Sequence, residues 1–101
     1  MITVLASIRV KAGKTSDFLE IFKDNVSNVR GEEGCVEYFP AVDVDAGLPG
    51  QSFDPNLVTV IEKWKSLEDL RRHAGAPHML AYRKKVKDMV EDVSLRVLRN
   101  V

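Results

Sequence analysis

The segment from Val58 to Tyr82 constrains the fold more than any other part of the chain, because its structural pattern changes repeatedly within a short distance. It opens with a β-branched run that favours a strand. Alternation along that strand places four side chains on one face, namely Val58, Val60, Glu62 and Trp64. Ser66, followed three residues later by Asp69, resembles a capping box and predicts a short helix. Gly75 ends that helix, and Pro77 suits the first turn of a second one.

The remaining segments add three strands and a long helix. Ile2 to Val10 alternates between an apolar and a mixed face, which is typical of a strand. A helix is expected from about Thr15, with apolar residues at helical spacing. Cys35 to Val44 predicts a second strand, in which Pro40 favours a sheet edge, a bulge or a bend. The last strand is expected from Val93, after a helix that reaches about residue 87.

The predicted order is β-α-β-β-α-β, with the second helix broken between Gly75 and Pro77. This is the ferredoxin-like α+β plan, an antiparallel sheet with its helices on one face, in a single domain over residues 1–101. The strands carry apolar residues on both faces, and the helices of this plan cover only one. We therefore expect a second copy of the chain to cover the other face in a homodimer.

Charge and cysteine content narrow the functional classes. The chain has 15 basic and 15 acidic side chains, so no net field attracts nucleic acid or an anionic membrane. No apolar run approaches the roughly 20 residues of a membrane span. The lone Cys35 cannot form an internal disulfide and fits a reducing compartment. A cytoplasmic protein is expected, with neither nucleic acid nor membrane as partner.

Three segments, EEGCVEYFPAVD, VIEKWKSLEDLRRH and APHMLAY, resemble the antibiotic biosynthesis monooxygenase superfamily, and within it the small quinol monooxygenases. The combination of Glu62, Trp64, His73 and Pro77–His78 carries much of the likeness, which extends over nearly the whole chain. The resemblance implies a homodimer whose sheets pack into a barrel, with a pocket between each sheet and its helices. It also implies a monooxygenase that oxidises a quinol or related polyphenol with dioxygen, without metal or flavin.

The same superfamily leaves other functions open, because a fold alone does not fix a reaction. Its haem-degrading members use an asparagine on the first strand, and residues 1–10 contain none. An isomerase of a phosphorylated signalling sugar remains an alternative. A module that binds a small ligand without turnover is the alternative from a different class.

The two histidines are the candidate acid–base residues. A hydroquinone gives an electron to dioxygen more readily once it is deprotonated, so the protein needs a base and an apolar pocket. We predict His78 as the base, because the positive end of a helix dipole beside it disfavours the imidazolium. His73, near a helix C-terminus, is expected to favour the cation and to hold an anionic oxygen. The alternative is that both rings are bonded to backbone at helix ends.

Glu62 shares a strand face with Trp64 and requires a partner if that face is covered. An arginine of a second subunit is the preferred partner, and orienting a histidine is the alternative. Trp64 is a candidate wall for an aromatic substrate or a core residue. Candidate pocket residues that more simply pack in the core are Tyr38, Tyr82 and Ile8. The two histidines are five residues apart across a proline and lack a third ligand, so no metal site is predicted.

Overall fold

Seven elements follow one another in the computed structural model, which describes the whole chain from Met1 to Val101. The strands are β1 (Ile2–Val10), β2 (Cys35–Val42), β3 (Leu57–Trp64) and β4 (Val90–Arg99). The helices are α1 (Thr15–Arg30), α2 (Leu67–Ala74) and α3 (Pro77–Val86). The predicted order is confirmed, with α2 and α3 forming the broken second helix. Two boundaries were wrong, because β2 ends two residues before Val44 and β4 begins three residues before Val93.

The four strands form one antiparallel sheet in the order β2-β3-β1-β4, which confirms the ferredoxin-like α+β fold. The central strand β1 pairs with β3 and β4, so Val4 lies opposite Glu62 on one side and Val97 on the other. Pro40 lies on β2, at the edge of the sheet, as its missing backbone donor predicted. Opposed residues in antiparallel strands point to the same face, so this register decides which side chains meet.

Local sequence explains where the helices begin and which sides they bury. The apolar stripe of α1 is buried along its length at Phe18, Phe22, Val26 and Val29. Ser66 caps α2, and its Oγ accepts the backbone N–H of Asp69 at 3.1 Å. Leu67, the first residue of α2, is 44% exposed although it is apolar. The buried side of α2 instead carries Asp69 and His73, which are one helical turn apart.

The helices leave one strand of the sheet uncovered. Helix α1 packs against β2 and α3, and α2 packs against β3. Strand β4 lies beyond them, and its Val93, Leu95 and Val97 are 52%, 64% and 50% exposed. These three residues pair with the buried residues of β1, so they belong to the helix side of the sheet. The expectation that the helices cover one whole face was therefore wrong for β4.

The opposite face of the sheet has no helix on it. Its apolar side chains are partly exposed, and they include Leu5, Phe39, Ile61 and Leu98. Ile61 of β3 lies opposite both Leu5 of β1 and Phe39 of β2, so an apolar patch crosses three strands. None of the three helices is both long and apolar enough to cross a membrane.

Candidate active site

A large cavity of about 640 Å³ lies between the sheet and the helices. Fifteen of the 20 residues that line it are hydrophobic, so its interior suits an apolar ring system. Five residues singled out from the sequence line this cavity, namely Ile8, Tyr38, Glu62, His73 and Tyr82. The exposed stripe of β4 forms one side of it.

His73 is held by a residue that sequence reasoning missed. Its Nδ1 lies 2.7 Å from Oε2 of Glu32, a residue in the turn between α1 and β2. A carboxylate accepts hydrogen bonds, so this contact places the proton of a neutral His73 ring on Nδ1 and leaves Nε2 unprotonated. The sequence feature that could have pointed to Glu32 is its acidic side chain within the turn between Gly31 and Gly34.

The unprotonated Nε2 of His73 has access to the cavity. Nε2 of His73 has no hydrogen-bond partner, since Oε1 of Glu62 lies 4.0 Å away, beyond hydrogen-bond distance. Outside the exposed residues, the one side-chain nitrogen or oxygen that lacks a partner and is also sealed from solvent is Nε2 of His78. Nε2 of His73 is therefore not sealed. Its lone pair is thus available to a hydroxyl group in the cavity.

Burial lowers the pKa of His73, and its hydrogen bond to Glu32 and the charge of that carboxylate offset only part of this effect. The positive charge of Arg83 lowers the pKa further. The expectation that His73 favours its cation was therefore wrong, because desolvation of this buried ring outweighs the helix C-terminus. A neutral His73 can accept a proton.

Glu62 is satisfied within its own strand. Nε1 of Trp64 donates a 2.9 Å hydrogen bond to Oε1 of Glu62, so an arginine of a second subunit is not needed as its partner. Burial raises the pKa of Glu62, and the bond from Trp64 offsets part of that rise. Trp64 is fully buried and does not line the cavity. Of the two alternatives for Trp64, this position supports the core residue rather than the substrate wall; it packs against the His73 ring, with centroids 4.7 Å apart.

Aromatic side chains fix the rings around His73. Phe22 of α1 stacks on Tyr38 of β2 at 5.5 Å, and Tyr38 meets His73 edge-on at the same separation. Tyr82 of α3 meets Phe22 at a steep angle. Burial raises the pKa of both tyrosine hydroxyls, which therefore stay protonated and can donate hydrogen bonds into the cavity.

His78 does not line the large cavity. It lies in the first turn of α3, as predicted, but faces a smaller cavity of about 180 Å³ together with Asn25. Nδ2 of Asn25 is 3.1 Å from Nδ1 of His78. Nε2 of His78 lies 3.4 Å from Oε1 of Glu32, without the alignment of a hydrogen bond. This position does not support the prediction that His78 is the base.

Three basic residues also line the large cavity, namely Arg71, Arg83 and Lys87, and none of them forms an ion pair with an acidic side chain. Glu62 is the one acidic residue of the lining. An anion in this cavity therefore meets more positive than negative groups. No group of three or more His, Cys, Asp or Glu side chains is arranged to hold a metal ion.

Known proteins resemble this chain over nearly its whole length. The family model described as "Antibiotic biosynthesis monooxygenase" matches residues 1–85. The chain is 40% identical over 101 residues to "Probable quinol monooxygenase YgiN" of Escherichia coli (strain K12), covering 98% of this chain and 97% of that relative.

Solved structures show the same fold at lower identity. A conserved protein from Methanosarcina mazei Go1 has a TM-score of 0.85 at 22% identity, covering 99% of this chain and 92% of that one. PA3566 from Pseudomonas aeruginosa has a TM-score of 0.83 at 23% identity, covering 99% and 93%. At this level of identity the likeness concerns the fold alone.

Proposed function

The chain belongs to the antibiotic biosynthesis monooxygenase family, and on that premise we propose that it is a single-domain monooxygenase over residues 1–101 that oxidises a quinol or related polyphenol with dioxygen. The observation that carries the proposal is the contact between Nδ1 of His73 and Glu32, which leaves Nε2 able to accept a proton beside a largely apolar cavity. A cavity of this kind accommodates an aromatic ring, and a neutral imidazole at its wall can take the proton of a ring hydroxyl.

In the proposed reaction, Nε2 of His73 accepts the hydroxyl proton and leaves a quinolate anion. The basic residues of the lining, including Arg83, stabilise that anion. The quinolate then reduces dioxygen by one electron, and the resulting semiquinone and superoxide recombine at a ring carbon. Loss of water from the peroxide gives a hydroxyquinone. One oxygen atom enters the ring, the other leaves as water, and the quinol supplies all four electrons.

This assignment moves the base from His78 to His73. Both histidines were candidates from the sequence, and the cavity lining supports only His73 in contact with substrate. Glu62 lines the same cavity, and its Oε1 lies 4.0 Å from Nε2 of His73. Glu32 acts through His73 as a positioning residue.

Oxygen uptake with a panel of reduced quinones tests the proposal. We expect quinol-dependent uptake above autoxidation, with formation of a hydroxyquinone detected by mass spectrometry. Protein in which His73 is replaced by alanine serves as the matched control. Uptake equal to autoxidation with every quinol would refute the activity. Because the chemistry needs neither metal nor flavin, an added chelator should leave the rate unchanged.

The basic residues of the lining also favour a second candidate, an isomerase of a phosphorylated sugar. Arg71, Arg83 and Lys87 offer positive groups to a phosphate, and His73 could move a proton between carbons beside a carbonyl. The apolar lining weighs against a sugar. Inorganic phosphate that binds in the cavity, seen as shifts of the His73 ring signals, together with absent quinol oxidation, would favour the isomerase.

We also propose a homodimer in a reducing compartment, the cytoplasm. The apolar patch around Leu5, Phe39 and Ile61 on the open face of the sheet supports a second copy as its cover. Sedimentation should give twice the chain mass of 11.3 kDa, and Phe39→Glu should shift the population toward monomer. A wild-type monomer at micromolar concentration would contradict the dimer. The lone Cys35 thiol supports the compartment.

A further inference from the structure

Glu32 lies between the two histidines of the chain. Its Oε2 contacts Nδ1 of His73 at 2.7 Å, and its Oε1 is 3.4 Å from Nε2 of His78. The two oxygens of one carboxylate therefore face two rings from different helices, α2 and α3. A carboxylate placed in this way cannot rotate without changing its relation to both rings.

Asn25 determines which nitrogen of His78 carries the proton. Nδ2 of Asn28 donates to Oδ1 of Asn25 at 3.0 Å, which directs the amide nitrogen of Asn25 toward α3. That nitrogen contacts Nδ1 of His78 at 3.1 Å and Sδ of Met79 at 3.4 Å, so both of its hydrogens have acceptors. Nδ1 of a neutral His78 is then the acceptor, and its proton lies on Nε2.

The proton on Nε2 of His78 is buried and has no hydrogen-bond partner in the structure. A buried donor left unpaired is unfavourable, and Oε1 of Glu32 is an acceptor within reach of a small rotation of the ring. Glu62, on β3, and Arg83, on α3, are charged groups near Glu32 and His73, and Asp24 and Lys85 line the small cavity beside His78. Once the His78 ring has rotated, pairing of its Nε2–H with Oε1 of Glu32 would hold the carboxylate in the orientation that receives Nδ1–H of His73.

We infer that Asn25 and His78 are positioning residues that act through Glu32 to hold His73 in the tautomer with an unprotonated Nε2. The donated hydrogen bonds run from Asn28 to Asn25 and from Asn25 to His78, and the His78 proton faces Glu32. His73 donates to Glu32 from the other side. The tautomer of the base is thus set by side chains of α1 and α3 as well as by its own carboxylate partner.

Ring-nitrogen NMR tests this directly, because the chain contains two histidines and gives a simple spectrum. In mildly alkaline solution we expect His73 protonated at Nδ1 and His78 protonated at Nε2. His78→Leu removes the donor that faces Glu32, and the nitrogen shifts of His73 should move toward a mixture of tautomers. His78→Gln keeps a side-chain N–H donor at this position and should restore the wild-type shifts.

Two results would overturn the inference: His73 protonated at Nε2 in the wild type, or unchanged His73 shifts in His78→Leu. Asn25→Ala provides a second variant if His78→Leu does not fold. It removes the donor at Nδ1 of His78, so it should mix the tautomers of His78 and, through Glu32, those of His73. Unchanged shifts of both rings in Asn25→Ala would likewise refute the network.

The kinetic consequence rests on the proposed quinol oxidation. His78→Leu should lower kcat by up to about tenfold, with KM unchanged, because the fraction of His73 that carries its proton on Nε2 cannot act as the base. His78→Gln should stay within about twofold of wild type if it keeps the contact with Glu32. A wild-type protein that oxidises no quinol would refute the proposed function, whereas the NMR experiment would still decide whether the network exists.

Discussion

Nδ1 of His73 lies 2.7 Å from Oε2 of Glu32, although 41 positions separate the two residues in the chain. The turn that carries Glu32 is fixed against the start of α2. Gly34 has φ of +82° and packs directly on the side chain of Asp69, while its carbonyl accepts the backbone N–H of Lys65 at 2.9 Å. The orientation of a side chain near the end of α2 therefore depends on a glycine turn that docks at the beginning of the same helix.

Replacing His73 by alanine tests it as the base. General base catalysis typically contributes ~100- to 10,000-fold, so we expect His73→Ala to lower kcat at neutral pH at least ~100-fold. Raising the pH should restore part of the rate, because an already ionised quinol needs no base. Oxygen consumption measured from mildly acidic to alkaline pH provides the comparison. Near wild-type turnover at neutral pH would exclude His73 and make Glu62 the next candidate.

Glu32→Gln should shift the pH dependence of the reaction. The hydrogen bond and charge of Glu32 raise the pKa of His73 against the larger effect of burial, so removing the charge lowers that pKa further. Activity requires neutral His73 and is lost as the pH falls through its pKa. The acidic limb of kcat/KM should therefore move to lower pH, while the maximal rate falls because Nδ1–H loses its carboxylate acceptor. A limb that moves to higher pH would contradict the assignment.

Glu62→Gln should stabilise the protein at neutral pH. Burial raises the pKa of Glu62 above its unfolded value, so the unfolded state ionises first and folding stability falls as the pH rises through this range. Glutamine removes this penalty and keeps an oxygen that can accept the bond from Trp64. A gain of about 1 kcal/mol would raise Tm by ~4–8 °C for a domain of this size.

The measurement for Glu62→Gln is thermal unfolding at fixed protein concentration, at neutral and at acidic pH. The gain over wild type should shrink as the pH falls below the ordinary range of a glutamate, where Glu62 is protonated in both states. A gain that is independent of pH would show that desolvation of the carboxylate is not its cause.

Gly34→Ala should destabilise the protein more than Gly13→Ala, although both glycines have nearly the same backbone conformation, with φ of +82° and +80°. A left-handed non-glycine residue costs about 1–2 kcal/mol, which is the effect expected at position 13, where an added Cβ meets no atom. At position 34 the Cβ overlaps the side chain of Asp69. The total there should reach ~2–5 kcal/mol.

Urea denaturation of the two glycine variants gives the difference in the free energy of unfolding. Gly34→Ala should also lower quinol oxidation, because the turn that carries Glu32 must move, whereas Gly13→Ala should leave it unchanged. Equal destabilisation by the two substitutions would mean that the contact with Asp69 is unimportant.

Local patterns in the sequence were sufficient for the elements of this fold. The apolar stripe of α1, the cap at Ser66 and the break between Gly75 and Pro77 depend on residues close together in the chain, so each could be interpreted without a partner. Alternation in β3 correctly placed Glu62 and Trp64 on the covered face. The family resemblance, drawn from the same segments, was confirmed as well.

The candidate site was only partly predictable. Ile8, Tyr38, Glu62, His73 and Tyr82 were singled out, and all of them line the large cavity. Periodicity cannot distinguish a residue that lines a cavity from one that packs beside it, and for this reason both alternatives for Trp64, pocket wall and core residue, stayed open. The exposure of β4 could not be predicted from the sequence either. Alternation shows that Val93 and Leu95 share a face, but it does not show whether a helix covers that face.

The proposed roles of the two histidines depend on the tertiary structure. From the sequence, each ring had only the dipole of its own helix as a neighbour, and that reasoning made His78 neutral and His73 cationic. In the folded chain, burial of the His73 ring lowers its pKa, and this effect is stronger than that of the helix end. Folding also brings Glu32 from a distant turn to Nδ1 of His73. Burial and long-range contacts arise only when the elements pack, so the sequence determined the candidate residues and the packing determined which histidine is proposed as the base.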